Sequence, residues 1–341
     1  MSARRSSVAL PALALATAAI LSAAPVHAAA PAAPAVTATL SGPDGGWDYI
    51  TVDADGGRVL VARGAGVSVF DLATGKTTQI LAELKGNHIA LPVNGGKDVL
   101  VTTGFTGEAV IADLATGTIR SRVKTGVKPD AAAYDAASGL VWVMDNKGGG
   151  VALVNPVSGA LEGNIPVAGA LEFVASDGKG RVYANVEDAG EIVAFDAKAR
   201  KVLAHYKLTG CEEPTGLAYD SVNNRLFAAC ANKVAAVVAA DTGAALATLP
   251  IGVGPDAAVF DPVAHRVFIP SGRDGKLTVI DADALKVVAT GATRTSARTA
   301  AIDVKTGRVY LPSAVMGPPA TAGGRPVATP GSFAVLAVTT R

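Results

Sequence analysis

The feature that most constrains this chain is an internal repeat. The phrase Pro129-Asp130-Ala131-Ala132-Ala133-Tyr134-Asp135 returns as Pro255-Asp256-Ala257-Ala258-Val259-Phe260-Asp261, and weaker copies open at Trp47, Asn87, Leu171, Pro214 and Ala297. Successive copies start 40 to 43 residues apart, which gives seven units with almost no drift. A period of that size marks supersecondary units that stack because none of them can bury its apolar face alone.

Within a unit, short β-rich runs alternate with turn chemistry. The opening run ends in an Asp followed five residues later by Arg, as in Asp53 to Arg58, Asp220 to Arg225, Asp261 to Arg266 and Asp303 to Arg308. That spacing reads as a polar hairpin turn. A second run follows, such as Val141-Trp142-Val143, and then a third that ends in Asp or Asn, such as Val67 to Asp71. Asp-Leu-Ala-Thr-Gly at 71 to 75 and again at 113 to 117 supplies a capping carboxylate and a glycine free to take positive φ, before a fourth run such as Ala245 to Ile251. Four strands in each of seven units predict an all-β fold, a seven-bladed β-propeller of four-stranded antiparallel blades. The seventh unit stops after its third run, Phe333 to Val338, so the segment from Ala35 to Leu40 is expected to supply the missing strand and close the ring.

The ends set the context. Arg4 and Arg5, the apolar run from Val8 to Leu21 and the small residues around Val26-His27-Ala28 follow the order of a cleavable signal peptide over residues 1–28. The apolar run falls short of the ~20 residues needed to span a bilayer, and Ser6-Ser7-Val8 lack the pattern of a twin-arginine signal. The expected mature chain has an Ala/Pro-rich, disordered lead over 29–35 and one propeller domain over 36–341. It is expected to be periplasmic or secreted, without a membrane span and monomeric. Losing two arginines takes the net charge from +1 to −1, so there is no bulk pull on phosphate. Half of the residues are apolar, enough to fill seven inter-blade cores.

The repeats resemble those of the YVTN-type β-propeller family, the YncE-like group of exported bacterial proteins, across the whole expected mature chain. The naming tetrad is absent. Its slot holds Val141-Trp142-Val143-Met144-Asp145-Asn146 or Val182-Tyr183-Ala184-Asn185. The resemblance implies an envelope location and little about activity, because propellers host many unrelated functions. It also implies a pairing of Cys211 with Cys230, a pattern common in that family. Two cysteines in an exported chain favour a disulfide, and no Cys-x-x-Cys spacing points to a redox or metal role.

Repetition separates architecture from function: a slot that keeps one residue type holds up the fold, whereas a slot that varies can face a ligand. The slot after each unit's opening residue varies most, holding Asp48, His88, Asp130, Glu172, Thr215, Asp256 and Arg298. In a propeller these side chains gather where the innermost strands begin, at one mouth of the central channel. Four carboxylates and a histidine there suit a cation or a cationic ligand, so a divalent ion is an open possibility and no other cofactor is implied. Against that, Asp130 and Asp256 follow prolines and can cap their own loops. Arg298, with Lys128 and Arg294 close by, turns the mouth toward a zwitterionic or polar organic ligand. Trp47 either stacks on such a ligand or plugs the channel. The Gly- and Pro-rich connection from Pro312 to Gly331 is expected as a lid, a partner-binding loop or a surface insertion on the same face.

Enzyme signatures are thin. Gly75-Lys76-Thr77 resembles the end of a phosphate-binding loop, but Phe70 stands where its first glycine belongs. No Gly-x-Ser-x-Gly elbow occurs, and His88, His205 and His265 are the histidines left after signal cleavage. The leading expectation is a non-catalytic binding propeller of the cell envelope that holds a small molecule or protein partner at the channel mouth. The alternatives are a metal-dependent lactonase or lyase working through His88, and a DNA-binding propeller. The last is disfavoured by the charge balance, and nucleic acid is not an expected partner.

Overall fold

In the computed structural model, residues 1–3, 33–319, 321, 324 and 326–339 are described, so the predicted signal peptide lies almost wholly outside the described residues, as do positions 29–32 of the lead. Seven four-stranded antiparallel sheets follow one another along the chain, with no helix among the described residues. Blade one comprises Trp47–Asp53, Arg58–Arg63, Ala65–Asp71 and Thr77–Lys85, ordered from the innermost strand outward as they occur in the sequence. Blades two to six repeat this meander from Asn87, Pro129, Leu171, Pro214 and Val259. Each innermost strand touches that of the next blade, and Ala301–Asp303 of blade seven touches Trp47–Asp53, which closes the ring.

Closure works as the short last unit predicts. Ala35–Ser41 pairs antiparallel with Ala334–Thr339 and completes blade seven, with Ala35 opposite Thr339 and Ser41 opposite Ala334. Arg63 secures this junction. It is buried, donates to the carbonyls of Pro43, Gly45 and Gly46 at 2.7 to 3.1 Å, and lies 3.6 Å above the Phe333 ring. The loop that joins the closing strand to blade one is thereby clamped to the last blade.

The cores lie between blades. One second-strand slot carries Leu60, Leu100, Trp142, Tyr183, Phe227, Phe268 and Tyr310, all nearly or fully buried. Trp142 meets Phe195 edge-on at 5.5 Å, which joins blades three and four, and Tyr183 stacks on Tyr219 at 6.0 Å between blades four and five. The turn aspartates act as the sequence implies: Asp177 accepts from the amides of Lys179, Gly180 and Arg181, and Asp71 from those of Ala73 and Thr74.

Cys211 and Cys230 form a disulfide that pins the entry loop of blade five to its second strand. No helix among the described residues is long and apolar enough to cross a membrane. The connection expected as a loop over 312–331 contains a two-stranded hairpin, Met316–Pro319 paired with Pro326–Ala328. It is tied down where Gly331 N–H donates to the Asp44 carboxylate and where Met316 and Ala328 pack against the cluster around Phe333.

Candidate functional site at the channel mouth

The backbone explains why one slot points into the channel. In blades one to five the innermost strand breaks register at its start, between Trp47 and Ile50, Asn87 and Ala90, Pro129 and Ala132, Leu171 and Val174, and Pro214 and Gly216. Such irregularities re-aim side chains that a regular pleat would send elsewhere. In blades six and seven the strand begins only at Val259 and Ala301, so Asp256 and Arg298 precede it on non-strand backbone.

These turns bring five of the seven slot residues into one charged network. His88 Nδ1 lies 2.7 Å from Asp48 Oδ2 and 3.3 Å from Asp130 Oδ1. Arg298 bridges two carboxylates, with Nε 2.6 Å from Asp256 Oδ2 and an Nη 3.0 Å from Asp48 Oδ1. Lys128 Nζ sits 3.0 Å from Asp130 Oδ2 and donates to Asn146 Oδ1 at 3.2 Å. The chain then reaches the sixth slot residue, because Asn146 Nδ2 donates to Glu172 Oε1 at 2.5 Å. Close approach needs bare backbone at two points: a Cβ on Gly104 would fall 2.7 Å from His88 Nε2, and one on Gly272 would fall 2.6 Å from Arg298 Cβ.

Two slot residues do something else. Thr215 spends its hydroxyl on the Pro255 carbonyl at 3.1 Å, one of several ties between blades that include Thr51 to Ala90 and Thr299 to Asp48. Trp47 packs its ring against Phe333 of the ring-closing blade, with centroids 5.1 Å apart. Asp130 and Asp256, which could have capped their own loops, turn their carboxylates to His88, Lys128 and Arg298 instead. Arg294 donates to the Ser332 carbonyl at 3.3 Å and so holds the hairpin insertion.

The channel is crossed below this network. Tyr49 of blade one meets Phe173 of blade four edge-on, with ring centroids 5.3 Å apart, and Tyr49 is only 3 % exposed. The mouth is therefore a cup with an aromatic obstruction across its axis. Sequence reading singled out neither ring, yet their slot carries a signal: it holds Ala131, Gly216 and Ala257 in three units and large side chains at Tyr49, Ile89 and Phe173. Asn146 and Glu187 share another overlooked slot, filled by Gly64, Gly104, Ala231, Gly272 and Ala314 in the other units. A polar residue where five units need a small one marks a position facing open space.

The mouth holds more carboxyl groups than cationic ones, and burial there favours their neutral forms. Burial, reinforced by the charges of Asp130, Glu187 and Asp256 and opposed by Lys128, pushes the Glu172 carboxyl up to about 9. Asp256 rises to about 7, again through burial, with Arg298 pulling the other way. Asp130 is raised by burial and by Asp48 against the pull of His88 and Lys128. For His88, burial disfavours the imidazolium, but the Asp48 hydrogen bond and the Asp130 charge outweigh it and hold the pKa above the ordinary value. The Tyr49 phenol is held far above its ordinary range by burial and by all four slot carboxylates.

Asp48, His88 and Asp130 also place one ligand atom each within 4.8 Å of one another, a spacing a metal ion can use. Their oxygens are already engaged: Asp48 by Arg298 and His88, and Asp130 by His88 and Lys128. A divalent ion entering here has to displace fixed positive charge about 3 Å away, which raises the cost of binding it. A second concavity, of about 370 Å³, opens among the strand-end turns of blades one to three, between Asp53 to Asp55, Pro92 to Gly96, Tyr134 and Pro156-Val157.

The fold and this site define a seven-bladed β-propeller with a charged, obstructed channel mouth. No family model matches the sequence, and no curated protein matches it. Among solved structures the chain is similar to a hydrazine synthase chain of Kuenenia stuttgartiensis, with a TM-score of 0.70 and 13% identity over 78% of this chain and 92% of that one. Likeness at that identity establishes the fold and carries none of that enzyme's chemistry.

Proposed function

We propose that this chain is an exported, non-catalytic binding propeller, related to the YVTN-type proteins its repeats resemble, and that its channel mouth holds a small polar ligand. One observation carries the reading: Asp48, Asp130, Glu172 and Asp256 converge with Lys128, Arg298 and His88 beside the Tyr49–Phe173 pair, with Glu187 near enough to act on Glu172. A small concave site with convergent polar groups and displaced pKa values is what ligand recognition requires. Export is supported by the disulfide, and a monomer by the closed ring, which leaves no blade waiting for a partner.

The lactonase or lyase alternative draws on the Asp48–His88–Asp130 group. Its weakness is that Arg298 and Lys128 compete for the same carboxylates. DNA binding finds no support in a mouth dominated by acids.

The test is a set of melting curves of the protein against ligand classes: divalent ions, amines, carboxylic acids, sugars, short peptides and a DNA duplex. The same panel is run on Asp130→Asn and Glu172→Ala. A rise in Tm with one class of small molecule, lost in both variants, is the expected result. Metal-dependent turnover of a lactone abolished by His88→Ala would replace this reading with the enzyme, and no response to any class would remove it.

A further inference from the structure

The second strands of the seven blades end in Arg63, Thr103, Asp145, Val186, Cys230, Ser271 and Ser313, so blade one alone ends that strand in a cation. Arg63 is 2 % exposed. Its Nε and Nη2 are spent on the carbonyls of Gly46, Pro43 and Gly45, none of which carries a charge. Its Nη1 is buried and finds no acceptor among the described residues. The charge of Asp44 favours the guanidinium, but that carboxylate takes the Gly331 N–H at 2.8 and 2.9 Å, and burial wins, lowering the Arg63 pKa to about 10. A buried charge held only by neutral groups is costly, which is why such charges are paired in folded proteins.

An independent donor stands beside it. Trp47 is the cross-strand partner of Arg63, and residues so paired hold their Cβ atoms about 4.5–5.5 Å apart on one face of the sheet. Both side chains lie against Phe333, the Trp47 ring with centroids 5.1 Å apart and the guanidinium carbon 3.6 Å from the ring centre. Trp47 Nε1 is also buried, and it too finds no acceptor among the described residues. Buried donors are nearly always paired, so two unmet nitrogens on one cross-strand pair, one of them in a charged group, mark a place for a shared acceptor.

We propose that this junction is a chloride site, in which one halide ion bridges Arg63 Nη1 and Trp47 Nε1 and fastens the loop that closes the ring. The site is separate from the channel mouth and does not depend on the mouth binding a ligand. An anion supplies both the missing acceptor and the missing counter-charge, whereas a water molecule supplies only the first. A monatomic ion suits the surroundings. Phe333 covers one face of the guanidinium and the carbonyls of Pro43, Gly45 and Gly46 line its other edges, where they would repel the outer oxygens of a carboxylate or phosphate. The cover is one layer of backbone: residues 43–46 are exposed, and a Cβ on Gly46 would meet no atom within 4 Å, so the ion enters by a shift of this loop.

The experiment follows the indole N–H resonances of isotope-labelled protein, since the chain has two tryptophans and Trp142 donates its own N–H to Ser138. Sodium chloride, sodium bromide and sodium gluconate are titrated at matched ionic strength into halide-free buffer, with Tm recorded alongside, on the parent, Arg63→Met and Trp47→Phe. Circular dichroism checks that each variant is folded. Chloride and bromide are expected to move the resonance that is absent from Trp47→Phe along a saturating curve. At a tenfold excess over Kd they should raise the parent's Tm by about 2–4 °C more than gluconate does. Judged by its Tm, Trp47→Phe should bind chloride about tenfold more weakly, and folded Arg63→Met should show neither response. The inference is overturned if halides move that resonance no more than gluconate does, or if the movement persists in folded Arg63→Met. Should Arg63→Met fail to fold, the Trp47→Phe melting series decides, and an undiminished halide response there overturns the inference.

Discussion

Replacing Glu172 by Gln should flatten part of the protein's pH–stability profile. Glu172 sits at the end of the Lys128–Asn146 chain with its carboxyl raised from an ordinary 4.5 to about 9, first by burial and then by Asp130, Glu187 and Asp256. The folded state therefore keeps this proton across a range in which the unfolded chain has lost it. Stability from this group is full below pH 4.5 and declines until pH passes about 9. At ~1.4 kcal/mol per pKa unit the ceiling on that loss is about 6 kcal/mol. The mouth is open to water, which screens the carboxylates, so the expected loss is about 2–3 kcal/mol. Gln keeps an oxygen for Asn146 and cannot ionise. Urea unfolding of both proteins at pH 5, 7 and 9.5 provides the assay, and the difference between the two profiles cancels groups they share, including Asp256. The two proteins should agree at pH 5, with the variant more stable by about 2–3 kcal/mol at pH 9.5. Parallel profiles would refute the reasoning, since they would mean that Glu172 ionises freely and that the cup carries no excess of negative charge.

Removing the disulfide as Cys211→Ser with Cys230→Ser frees a segment with a sequence separation of 19 and should destabilise the fold by about 3 kcal/mol, read as a lower urea midpoint. Identical midpoints for the oxidised and disulfide-free proteins would contradict this. Arg298→Met strips the counter-charge from Asp48 and Asp256. Because the Arg298 side chain is 43 % exposed, the cost is put at about 1–2 kcal/mol at pH 8. It should shrink toward pH 5 as Asp256 takes up a proton, and a cost that grows on acidification would show that Arg298 does not serve these carboxylates.

The propeller was legible because the repeat forces each unit to use the same turns, so Asp53, Asp220 and Asp261 mark hairpin corners in the sequence alone. Ring closure was legible from a shortfall, a seventh unit with one strand too few. The variable slot identified six residues of the mouth network, Asp48, His88, Asp130, Glu172, Asp256 and Arg298. Thr215 shares the slot but is drawn off by the Pro255 carbonyl, a contact set by the spacing of blades rather than by any sequence pattern. Tyr49 and Phe173 stayed hidden because a large apolar residue on an inner strand looks like core until the local break in register is known. Pairing within the 312–331 connection was equally hidden, since Pro318, Pro319 and Pro326 argue against strands that the structure nevertheless forms at an edge.

The most direct test of the account is a crystal structure of the protein with the small molecule that raises its Tm most. The account places that molecule in the cup, within hydrogen-bond distance of Asp130 and Glu172 and above the Tyr49–Phe173 pair. Density in the 370 Å³ concavity beside Tyr134 and Val157, with the cup and its Lys128–Asp130 contact undisturbed, would contradict it.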